Sequence, residues 1–88
     1  MNFLKRLFNR PEKITPSDLI AAGFTKRYNE VEDYTKDGFL LSFNPFTGAW
    51  VFDRLKKTGP GVIARFNAPL TRADLNYMLN YIREENEM

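Results

Sequence analysis

Residues 39–55 read FLLSFNPFTGAWVFDRL. Two strand-like runs flank the loop Asn44-Pro45-Phe46-Thr47-Gly48. Proline presets φ for the first turn position, and glycine supplies the left-handed residue that returns the chain to a strand. If Asn44 faces Ala49, the pairs Phe43–Trp50, Leu41–Phe52 and Phe39–Arg54 follow. Residues opposite one another in an antiparallel pair share a face. One face then carries Phe39, Leu41, Phe43, Trp50 and Phe52, and the other Leu40, Ser42, Val51 and Asp53. So much contiguous aromatic surface must be covered, or the chain would aggregate.

The neighbours of this hairpin extend the sheet. Asp37-Gly38 reads as a two-residue hairpin turn, preceded by a strand over Glu30–Lys36. That register pairs Lys36 with Phe39 and Tyr34 with Leu41, so Tyr34 joins the aromatic face. Glu32 then faces Phe43, so the buried face runs out at that end or the strand is bulged. A Gly-Pro-Gly loop at residues 59–61 leads into a last strand, Gly61–Asn67. Val62, Ala64 and Phe66 point to the aromatic face there, and Ile63 and Arg65 to the outer one. Residues 25–29 read as polar, extended chain.

Two helices carry the same opening grammar. Thr15-Pro16 with Asp18 at the third position, and Thr71 with Asp74, are N-caps with an acid near the positive end of the dipole. Ile14 with Leu19, and Leu70 with Leu75, are placed to staple them. The first helix spans 16–22 and ends at Gly23, with Phe24 set to contact Leu19. The second spans 72–85. Its stripe of Leu75, Met78, Leu79 and Ile82 covers the aromatic face, and Glu84, Glu85 and Glu87 at its negative end predict a frayed tail.

The leading segment differs in character. Phe3, Leu4, Leu7 and Phe8 fall at helical spacing, with Lys5, Arg6, Asn9 and Arg10 on the opposite side. So short a helix needs a surface: its own domain, an anionic membrane or a partner. Residues 1–13 are thus a basic amphipathic helix and linker, and 14–88 a single α+β domain. The expected fold is a four-stranded antiparallel β-meander with helices packed on one face.

Composition limits the chemistry. The 88 residues include no cysteine and no histidine. Disulfides, thiolate metal sites and a thiol nucleophile are excluded, and the commonest general base and metal ligand are missing. A cysteine-free chain fits a reducing, cytoplasmic setting. No run approaches a membrane span, and no signal peptide is read. The net charge of +2 is concentrated at the start, where Lys5, Arg6, Arg10 and Lys13 oppose Glu12 alone. No phosphate-cradling, dinucleotide or nucleophile motif is found, and no cofactor or metal is expected.

These features point to a small non-enzymatic module that binds another protein. In size and style the chain resembles the small accessory proteins of bacteria and their phages, a likeness that assigns no residue. Phe46 is the leading candidate contact. A phenylalanine at that tip either folds back on the sheet, the default, or stands out as an anchor. The outer face with Leu40, Val51 and Ile63 is the second candidate: it is solvated, seats the leading helix, or meets a second copy or another protein. The alternative function is attachment to an anionic membrane through Phe3, Leu4, Lys5, Arg6, Leu7, Phe8 and Arg10. Nucleic-acid binding through Arg54, Lys56, Lys57 and Arg65 is disfavoured. The aromatics alternate onto the covered face, and Glu30, Glu32, Asp33 and Asp37 repel phosphate.

Overall fold

Two consecutive left-handed residues, Asp37 at φ 49° and Gly38 at φ 89°, turn the first hairpin. This is the backbone that a two-residue loop needs to match the twist of its strands. Gly48, at φ 72°, closes the second hairpin. The computed structural model describes residues 12–56 and 62–87. Within them the strands are β1 (Thr25–Lys26), β2 (Asp33–Lys36), β3 (Phe39–Asn44), β4 (Ala49–Arg54) and β5 (Ala64–Asn67). The helices are α1 (Pro16–Ala21) and α2 (Arg72–Asn86).

The strands form one antiparallel sheet in the order β1-β2-β3-β4-β5, an α+β fold. The register follows the turns: Phe43 faces Trp50, Leu41 faces Phe52 and Phe39 faces Arg54. Tyr34 faces Leu41 and Lys36 faces Phe39. The sheet has five strands where the sequence predicts four. The extra one, β1, pairs Thr25 with Thr35 and Lys26 with Tyr34. Two exposed polar residues carry no alternation, so hydrophobic period cannot reveal them. Local contacts hold β1 instead. Lys26 Nζ sits 5.9 Å from the centre of the Tyr34 ring and 3.5 Å from Glu32, and the Arg27 N–H donates to the Asp33 carbonyl at 2.8 Å.

The aromatic face is the core face. Phe39, Leu41, Phe52 and Tyr34 are buried there with Leu19 of α1 and Leu75, Met78 and Ile82 of α2. Phe39 and Phe52 stack at 5.5 Å, and Tyr81 meets both edge-on at 5.9 Å. Burial thins toward the β3–β4 turn, where Phe43 and Trp50 are half-exposed. Strand β2 begins only at Asp33, and the Phe43 N–H donates to the Glu32 carbonyl at 3.0 Å. The buried face therefore runs out at that end.

The two helix starts lie side by side. Lys13 bridges Thr71, the Ile14 N–H donates to the Leu70 carbonyl at 3.0 Å, and the Arg72 N–H donates to the Glu12 carbonyl at 2.7 Å. At Thr71 the box is reciprocal: the Asp74 N–H donates to Thr71 Oγ1 at 3.2 Å and the Thr71 N–H to Asp74 Oδ2 at 3.1 Å. At Thr15 the Asp18 carboxylate accepts the backbone N–H at 2.8 Å. That bond, reinforced by Arg72, holds the Asp18 carboxyl below its ordinary value. Arg72 lies 3.6 Å from Asp18 and 3.9 Å from Glu12, joining both segments.

Helix α1 ends as its glycine predicts. The Phe24 N–H donates to the Leu19 carbonyl and the Gly23 N–H to the Ile20 carbonyl, both at 3.0 Å, which is a Schellman ending. Gly23 stands at φ +105°, and a Cβ there would lie 2.7 Å from Lys36 Nζ. The lysine tip can move aside, but the backbone cannot relax without losing the buried Phe24. Gly23→Ala is expected to cost about 1–2 kcal/mol in urea unfolding. An unchanged midpoint would show that the φ imposes no strain.

Helix α2 ends at Asn86, one residue beyond the expected 85. Near its end Glu85 accepts a hydrogen bond from Arg54, whose Nη2 also donates to the Tyr81 hydroxyl at 2.9 Å. Glu85 first, and Tyr81 after it, raise the guanidinium pKa above its ordinary value. Arg54 reaches this tail because it faces Phe39, on the core side of the sheet.

Candidate functional site

Phe46 is 97% exposed, so the folded-back default is overturned. The turn that carries it is closely bonded. Asn44 Oδ1 accepts the Phe46 N–H at 2.9 Å, and the Asn44 carbonyl accepts the Gly48 N–H at 2.8 Å. Thr47 Oγ1 accepts the Ala49 N–H at 3.3 Å. Asn44 is the residue that folds the turn: its short side chain bonds its own backbone two residues on. Local hydrogen bonds thus fix the backbone that carries the exposed ring.

The same end of the sheet gathers further apolar surface. The segment between β1 and β2 leaves beside the turn and carries half-exposed Tyr28 and Val31. The Ala68 N–H donates to the Gly48 carbonyl at 3.1 Å, which ties the approach to α2 to the same turn. Beneath it lies a pocket of about 120 Å³ lined by Ile14, Pro16, Leu19, Trp50, Pro69 and Leu70. Trp50 forms one wall and is in ring contact with Phe43 at 5.2 Å. The sequence identifies Ile14, Leu19 and Leu70 as staple residues, Trp50 as part of the aromatic face and Thr15-Pro16 as a helix start, and assigns no role to Pro69. It does not reveal the pocket, which exists because the two helix starts meet side by side.

No family model, curated protein or solved structure matches this chain. The residues themselves carry the functional reading. On the outer face Leu40 and Val51 are half-buried. Asp53 on that face is only 5% exposed, its Oδ1 accepting the Arg54 N–H at 2.7 Å. Ile63 stands at the bend before β5, where its N–H donates to the Phe52 carbonyl at 2.9 Å, and it packs against the core cluster. The bend takes Ile63 out of strict alternation. The outer face thus keeps less open apolar surface than its pattern suggests.

Among the described residues of the basic cluster, Arg54 and Arg65 lie on opposite faces. Arg54 faces Phe39 on the core side, whereas Arg65 faces Val51 on the outer side. Lys57 and the leading residues Phe3, Leu4, Lys5, Arg6, Leu7, Phe8 and Arg10 lie outside the described residues. The acidic group is divided among cations: Glu32 with Lys26 at 3.5 Å, Asp33 with Arg27 at 3.8 Å and Asp37 with Lys36 at 3.3 Å. Among the described residues no group of three acidic side chains is placed to hold a metal ion. No described helix is long and apolar enough to cross a membrane.

Proposed function

We propose that the chain is a non-enzymatic protein-binding module that docks through the β3–β4 turn, with Phe46 as its anchor. The observation that carries this is a ring 97% exposed on a turn fixed by three hydrogen bonds to Asn44 and Thr47. An aromatic side chain has only two rotatable bonds, so it loses little conformational freedom on burial, and aromatic residues dominate small interfaces. The half-exposed Tyr28 and Val31, in the segment that joins β1 to β2 at the same end of the sheet, add apolar surface. The absence of histidine and cysteine from the sequence supports binding over catalysis.

Phe46→Ser separates this reading from a structural one. The ring has almost no protein contact to lose, so the unfolding free energy should stay within about 0.5 kcal/mol of wild type. Tagged wild-type and variant chains are then used to retain proteins from the native cell. Proteins held by the wild type and released by the variant are the expected result. Retention of the same proteins at the same level by both would overturn the reading.

A further inference from the structure

The turn that presents Phe46 also borders an apolar hole. The Gly48 carbonyl that holds Ala68 places the Pro69 wall of the pocket next to the turn. The pocket measures about 120 Å³, and its walls are Ile14, Leu19, Leu70, Trp50 and two prolines, with Thr15 as the polar member. Apolar cavities of about 150 Å³ take a benzene ring, so an open pocket of this size suits one aromatic side chain. Its own Phe46 stands in solvent on the turn that Asn44 bonds, and among the described residues no side chain fills the pocket. Knob and hole thus share one end of the molecule without being joined within one chain.

We propose that the partner of this site is a second copy of the chain: across a two-fold axis, each Phe46 enters the pocket beside Trp50 of the other copy. This rests on the reading of Phe46 as a docking residue. A two-fold contact is self-complementary, and reciprocal exchange closes at two copies, with no ring left over to extend a fibre. It also sets like against like, which an unbalanced charge would oppose. Here the flanking charges are mostly paired within each copy: Lys26 with Glu32, Arg27 with Asp33, and Arg72 shared by Asp18 and Glu12, which leaves one net negative charge among these residues and keeps the contact weak. Two exchanged rings and the walls they cover remove about 600–1,000 Å² from water, below the range of stable interfaces. The dimer is therefore weak and reversible, with Kd on the order of 0.01–1 mM.

Sedimentation velocity on the full purified chain, from about 5 µM to about 1 mM, spans that Kd. Trp50 is the sole tryptophan and a pocket wall, so its emission reports on the pocket directly. The sedimentation coefficient of the wild type should rise toward that of a dimer, and Trp50 emission should shift with the same midpoint. Phe46→Ser should sediment as a monomer with constant emission throughout. A wild type that stays monomeric overturns the self-docking, as does a Phe46→Ser chain that still dimerises, or dimerisation without a Trp50 response. If the wild type is monomeric while Phe46→Ser still releases proteins from the cell extract, self-docking falls and the docking role of Phe46 stands.

Discussion

Phe52→Ala is expected to lower the unfolding free energy by about 3–5 kcal/mol, while the same residue type at position 46 is expected to be nearly silent. Phe52 is 0% exposed in the middle of β4, between Leu41 on one side and Ala64 on the other. Its ring stacks on Phe39 and meets the edge of Tyr81. Removing it forfeits the transfer free energy of a buried ring and leaves a cavity that the sheet cannot close, since backbone pairing fixes both neighbouring strands. A chain of 88 residues has a total stability of about 4–13 kcal/mol, so the loss is a large share and can unfold the domain at body temperature. Urea unfolding of wild type, Phe52→Ala and Phe46→Ser in parallel gives the comparison. A loss under about 1.5 kcal/mol at Phe52 would mean that the aromatic face is not the core.

The contrast between the two phenylalanines also shows what the sequence encodes and where it stops. Turn chemistry is local, so Asp37-Gly38 and Asn44 through Gly48 set both hairpin registers before any tertiary contact is known. A register then assigns every side chain in the pair to a face, which makes Phe39, Leu41, Phe52 and Tyr34 readable as core. Both helix starts are equally local, since the cap and its acid lie three residues apart. Three features depend on distant residues and escape that logic. Strand β1 is held by side-chain contacts of Lys26 rather than by a pattern of its own. The α2 tail is met by Arg54, which reaches Glu85 from 31 residues earlier. The pocket needs Ile14 and Leu70 to meet, which no local signal specifies. The direction of the Phe46 ring lies between these cases. Asn44 dictates the turn, but an outward ring follows only because the buried face has already ended at Phe43 and Trp50.

Tyr34 gives the protein an alkaline limit that can be measured. The side chain is 0% exposed, and its hydroxyl donates to the Glu32 carboxylate. Burial raises the phenol pKa strongly, and the hydrogen bond to Glu32 and its charge raise it further. In the unfolded chain a tyrosine titrates near its ordinary value of about 10. A folded pKa above the unfolded one means that the native state keeps its proton while the unfolded state releases one. The contribution to stability is therefore intact below about pH 10 and is lost as pH climbs from there toward the folded pKa, at up to about 1.4 kcal/mol per pH unit. Tyr34→Phe has no such proton. At pH 7–9 it should be the less stable chain by about 1 kcal/mol, the worth of the missing hydrogen bond. Above about pH 10 the wild type loses stability through this group while Tyr34→Phe does not, so the gap between the two chains should close as the pH rises. Urea midpoints taken for both chains from pH 8 upward test this, and a gap that stays constant across pH 10 would show that the phenol ionises as readily in the fold as outside it.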